Sequence, residues 1–193
     1  MISLDKFEYI KCKYYYCSSW AVWAEQGDSP KSNIGDLSVL DPKLNTNLLS
    51  ELNPNIILVG LNISSASGGS VEPFRNFHSS SPRHMDYKIR YATQNTPLWG
   101  AYMTDIIKNF PERVSVKVSK YLRDNREVET ENVSFFRNEL HDIGAINPTL
   151  IAFGNDTFSI LKRNLQTDYK ILKVPHYAHY ISKEKYREQV AEV

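Results

Sequence analysis

The sequence is short of the features that settle a class at once. It has two cysteines, Cys12 and Cys17, both inside "CKYYYC". A disulfide framework needs more, and a zinc site needs further Cys or His nearby, so these read as ordinary thiols in a partly buried aromatic segment. No stretch approaches the roughly 18 consecutive apolar residues of a membrane span. The opening "MISLDKFEYIK" alternates acid and base and lacks the apolar core of a secretory signal. The expectation is a cytoplasmic protein with no membrane partner. Neither sign of charge is in excess: the net charge is +1, so any contact with nucleic acid must come from a local patch. Repeats, low-complexity tracts and a dividing linker are absent as well.

What remains is one domain's worth of chain, 193 residues with an apolar share of 41%, enough to bury a sizeable core. Four short apolar runs stand out: "NIILVG" (55–60), "AYMTDII" (101–107), "TLIAFG" (149–154) and "YKILKVP" (169–175). The first and third are continuous and rich in aliphatic residues, as strands buried on both faces are. Helical patterns lie between them. "DPKLNTNLLSELNP" offers Asp41 as N-cap, Pro42 at the first helical position, and Leu44, Leu48, Leu49 and Leu52 on one face. "NVSFFRNELHDIGAINP" places Phe136, Leu140 and Ile143 inward and ends at Gly144 as a C-cap. "NDTFSILKRNL" has Asn155 or Asp156 as cap, and a last helix covers 183–192. Strands alternating with helices predict an α/β fold with a mainly parallel sheet covered on both sides.

In such sheets ligands bind outside the carboxyl ends of the strands. Those ends carry Gly60-Leu61-Asn62, Asp105, Gly154-Asn155-Asp156 and His176. The stretch after the first run is far longer than an ordinary connection. It carries Arg75, His78, Arg83, His84, Lys88 and Arg90 with Phe74 and Phe77. Such a composition suits phosphate contact and base stacking, and equally a solvated loop. The segment 113–126 sets out Arg113, Lys117, Lys120, Arg123 and Arg126, either a solvated face or a track for a phosphate backbone. Trp20 and Trp23 read as a core wall. His176 and His179 form His-x-x-His, a common spacing with no carboxylate cluster beside it, so no metal is expected.

Taken in order, "ILVGLNIS", "GAYMTDIIKNFPE", "INPTLIAFGNDTFSILK" and "VPHYAHYIS" resemble the four motif regions of the uracil-DNA glycosylase superfamily, over about residues 54–182. The resemblance implies a single domain (1–193), a three-layer α/β/α sandwich around a four-stranded mainly parallel sheet, and base flipping as the mode of action. It implies that Asn62 orients a water at the sugar and that His176 hydrogen-bonds the departing base. Phe77, or Phe74, would stack on that base, Asp105 would read its edge, and Gly60, Leu61 and Tyr177 would line the pocket. Ser64, Ser65, Arg75 and His179 would meet the backbone of DNA, single- or double-stranded, and no cofactor is implied. The chain departs from the motifs in three places. Ile63-Ser64 replace Pro-Tyr or Pro-Gly, Tyr177 replaces a Pro, and Asp105 stands where uracil readers place an Asn. An ionised Asp only accepts hydrogen bonds, so a base with an exocyclic amino group suits it better than uracil. The expected function is a DNA glycosylase-like hydrolase acting on a flipped damaged or deaminated base. The alternatives are a non-catalytic nucleotide- or nucleic-acid-binding member of the fold, or a hydrolase of a free nucleoside or nucleotide.

Overall fold

The computed structural model describes residues 2–63, 72–81 and 83–193. The four apolar runs become four parallel strands: β2 (Asn53–Asn62), β3 (Ala101–Ile107), β4 (Thr149–Phe153) and β5 (Lys170–Val174). A fifth strand, β1 (Ser18–Trp20), joins the outer edge of β3 in antiparallel register, Ser19 opposite Met103. The sheet runs β1-β3-β2-β4-β5. The expected four-stranded sheet is therefore corrected to a five-stranded mixed one. Its extra strand is three residues of an aromatic segment, too short to show any periodicity.

Alternation along the strands sorts side chains to two cores. Ile57, Val59, Tyr102, Ile106, Leu150 and Ala152 face one of them. It is closed by α1 (Leu4–Lys13), α4 (Ser115–Asp124), α5 (Arg126–Asp142) and α6 (Gly154–Leu165) through residues such as Phe7, Val118, Phe136 and Leu161. Leu58, Met103, Ile151 and Phe153 face the other core, with α3 (Tyr87–Thr93) and α7 (Lys183–Val190) supplying Ile89, Ala92, Tyr186 and Val190. Each fully buried Leu, Ile or Phe contributes about 1.5–3 kcal/mol. Trp20 packs edge-on against Tyr102 at 4.9 Å in the first core, and Trp23 lies against His78 at 5.0 Å beside the second.

Several local expectations are corrected. The helix expected over 41–54 is one turn only, α2 (Leu48–Glu51). The Asn45 amide donates to the Val39 carbonyl at 3.0 Å and its oxygen accepts from the Asn47 amide at 3.3 Å, so side chains compete with helical pairing there, and Leu44 is left exposed. α6 starts directly after β4 with Phe153 as its N-cap and no side-chain cap, not at Asn155 or Asp156. The C-terminus of α5 is as expected. Gly144 has φ +75, its amide donates to His141 O at 3.0 Å, and Ala145 N donates to Leu140 O at 3.0 Å, both parts of a Schellman motif.

Two polar arrangements hold the strand ends. Lys108 and Glu139 form an ion pair of 2.8 Å that is almost wholly buried. Glu139 also accepts from the Tyr102 and Thr104 hydroxyls at 2.8 and 2.9 Å. On the opposite face, Lys88 Nζ donates to the carbonyls of His179 and Ile181, both at 2.8 Å, and Arg187 donates to those of Tyr91 and Gln94. Cys12 and Cys17 are free thiols, and burial pushes the Cys17 thiol up. Among the described residues no helix is long and apolar enough to cross a membrane.

Candidate functional site

β2 occupies the middle of the sheet. The chain leaves it to β3 on one side and returns to β4 on the other, so the strand order reverses beside β2. A crevice at the carboxyl ends is expected at such a switch point. A cleft of about 350 Å³ lies there, within the range of small-molecule sites. Gly60, Leu61 and Asn62 from β2, Asp105 from β3, Phe153 with the first turn of α6, and His176 and Tyr177 after β5 line it. Seven of the residues that the resemblance placed around the base thus meet in one recess: Gly60, Leu61, Asn62, Phe77, Asp105, His176 and Tyr177.

Asp105 is 4% exposed. Its Oδ2 accepts from Asn76 Nδ2 at 2.9 Å, and its Oδ1 takes no hydrogen bond from a described residue. Gly60 is its register partner on β2, and a Cβ added there would overlap Oδ1. Only glycine leaves room for the carboxylate. Burial raises the Asp105 pKa to about 6, against smaller opposing effects of Asn76 and Lys108. The nearby Lys108 ammonium donates to the Asp105 backbone carbonyl, not to the carboxylate.

Asn62 has its amide hydrogens engaged by backbone carbonyls. Nδ2 lies 2.7 Å from the Glu112 carbonyl and 3.1 Å from those of Ile63 and Phe110. Three acceptors fix the orientation of the amide, so Oδ1 is the atom free to accept from a water. His176 is exposed on one side, and the burial of the remainder of its ring lowers its pKa. Its Nδ1 accepts from the Ala178 amide at 3.1 Å. The neutral ring therefore carries its proton on Nε2, as a donor. Tyr177 stacks on it, with ring centroids 4.3 Å apart.

The aromatic wall comes from Phe77, Phe153 and Tyr177, with Phe153 and Tyr177 5.3 Å apart and each 6.4 Å from Phe77. Phe77 is placed by two successive turns, Arg75 N to Glu72 O and His78 N to Arg75 O. Each turn holds a Phe at φ +65, where a glycine is usual. Such a backbone costs on the order of 1–2 kcal/mol per residue, and it aims Asn76 and Phe77 at the cleft.

Other expected site residues fall elsewhere. Phe74 is buried in the first core against Phe7, 5.4 Å away, and does not stack in the cleft. Arg75 is held by Gly35 O at 2.7 Å and by Glu72, outside the cleft lining. His179 is exposed and does not line the cleft. Ser64 and Ser65 lie outside the described residues. His78 is wholly buried with a pKa lowered to about 3 by that burial, while Lys88 and Arg90 hold backbone carbonyls, so none of the three is free for phosphate.

Sequence reasoning missed Asn76, Phe153 and Thr157, and it read Arg113, which also lines the cleft, only as part of a phosphate track. Thr157 carries a buried hydroxyl with no partner among the described residues, and the first-turn amides of α6 beside it have no side-chain cap. Further along, Asp156 leads into a second depression lined by Arg123, Arg126 and Arg163. Arg113, Lys117, Lys120, Arg123 and Arg126 are all exposed. Among the described residues no group of three or more His, Cys, Asp or Glu is arranged to hold a metal ion. No family model, curated protein or solved structure matches this chain.

Proposed function

We propose that the chain is a divergent relative of the uracil-DNA glycosylases that hydrolyses the N-glycosidic bond of a damaged or deaminated base flipped into the cleft. The observation that carries this reading is the convergence of Asn62, Asp105 and His176, 43 and 71 positions apart in sequence, on one aromatic-walled recess at the switch point. The roles follow from the free atoms. Asn62 Oδ1 is a fixed acceptor that orients water without serving as a base. Neutral His176 presents Nε2–H, which strengthens its bond as negative charge builds on the departing base. Phe77 and Tyr177 offer ring faces, and the exposed cations of α4 give a backbone its phosphate contacts.

One observation favours a second reading, a binding module without catalysis: the Asn62 amide is tied to three carbonyls, which is also what a purely structural residue would do. Oligonucleotides containing uracil, hypoxanthine or another altered base, incubated with the protein and then cleaved with alkali, separate the two. Strand scission that falls about 100-fold or more in His176→Ala and in Asn62→Ala supports hydrolysis. Tight oligonucleotide binding with no scission from any base overturns it in favour of the binding module.

A further inference from the structure

The polar atoms left free on Asp105, Asn76 and Asn62, and on His176 across the cleft, are of opposite kinds. At the β2–β3 end they are acceptors. Asp105 has one oxygen fixed by Asn76 and the other open over Gly60. Asn76 has both amide hydrogens engaged, by Cys17 O and Asp105 Oδ2, each at 2.9 Å, which leaves only its oxygen. Asn62 likewise has only its oxygen left. At the β5 end, His176 holds its Nδ1 against the Ala178 amide and presents a donor. Between the two ends stand the rings of Phe77, Phe153 and Tyr177.

Resting on the base-binding reading of the cleft, we infer that it takes a cytosine-type base, with the exocyclic amino group donating to Asp105 Oδ1 and the 2-oxo group accepting from His176 Nε2–H. Uracil places a second carbonyl where cytosine has its amino group, and so turns oxygen lone pairs toward a buried carboxylate. Adenine offers an amino group but no carbonyl for His176. Guanine pairs best with a carboxylate through two parallel N–H bonds, and here one oxygen is already held by Asn76. A cytosine-type edge matches both ends at once. The deaminated bases lack that amino group, so the inference narrows the substrate to altered bases that retain it.

The test is titration of free cytosine and free uracil into the full chain near neutral pH, followed by calorimetry or by ligand-observed NMR. Cytosine is expected to bind about 10-fold tighter than uracil or better. Asp105→Asn, which restores a donor, is expected to abolish or reverse that preference, while His176→Ala weakens both bases alike. Asp105→Ala, checked for folding by its thermal transition, loses the preference without gaining uracil. Equal or tighter uracil binding, a cytosine preference that survives in both Asp105 variants, or no binding of either base at millimolar concentrations overturns the inference. Because free bases are used, a preference that holds while no oligonucleotide is cut leaves this inference standing and sinks only the hydrolytic reading.

Discussion

Gly60 on β2 and Asp105 on β3 are register partners, and the Asp105 carboxylate occupies the space that any side chain at position 60 would need. The acidic group of the cleft therefore depends on a missing side chain on the neighbouring strand. Gly60→Ala is expected to push the carboxylate off Asn76 and to destabilise the fold by about 1–3 kcal/mol, as overpacking does. Combining it with Asp105→Ala should recover a good part of that loss. Urea denaturation of the four proteins of this cycle measures the coupling, and strictly additive effects would show that the two residues do not compete for one space.

Asp105 also makes the protein pH-sensitive. Its folded pKa is raised to about 6 from an ordinary value of 3.8, so the native state holds the proton more tightly than the unfolded chain. Its contribution is most favourable below about pH 4, declines as pH rises toward 6, and is flat above. The neutral, buried His78 acts in the opposite sense, losing stability as pH falls below its unfolded value of 6.5. Comparison of wild type with Asp105→Asn isolates the first effect. The variant is expected to be more stable at pH 7 to 8 by about 2–3 kcal/mol, with the advantage vanishing near pH 4. Thermal unfolding across that range reads it directly.

The Lys108–Glu139 pair lies under the strand that carries Asp105. Glu139→Gln keeps acceptors for Tyr102 and Thr104 but leaves the Lys108 ammonium buried without its counter-charge. A loss of about 3–5 kcal/mol is expected, and Lys108→Met added to it should restore most of the stability. Chemical denaturation of both variants checks this. A single variant as stable as wild type would mean that the lysine reaches water.

The ridge on α4 concentrates positive charge in a chain whose net charge is only +1. Neutralising Lys120 and Arg123 together is expected to flatten the dependence of oligonucleotide affinity on salt by about 0.7–0.9 in slope for each cation lost from a phosphate contact. Fluorescence anisotropy at several potassium chloride concentrations gives the slope. Free-base binding in the same variant should not change.

The four parallel strands were legible because each is an apolar run bounded by polar or glycine residues, and the logic of strand ends then pointed to Asn62, Asp105 and His176. The pieces that were not legible lack periodicity. β1 is three residues long and packs by aromatic contact. α2 shrinks to one turn because Asn45 and Asn47 bond locally. Asn76 is a lone polar residue in a loop, and only the two positive-φ phenylalanines beside it show that the backbone is being bent toward the cleft. Phe77 is the nearer stacking candidate and Phe74 the other, but nothing in the sequence separates their environments. They hold equivalent places in two successive turns, yet one enters the core and the other the cleft wall.

The bonds made by the Asn62 amide also limit how this protein can diverge. A carboxylate in its place would set negative charge against the carbonyl dipoles of Ile63, Phe110 and Glu112. Evolution from a water-orienting amide to a proton-abstracting acid is therefore not one codon away here. It requires the 110–112 segment to turn its carbonyls outward first, so the path to that chemistry runs through the loop before it reaches the residue.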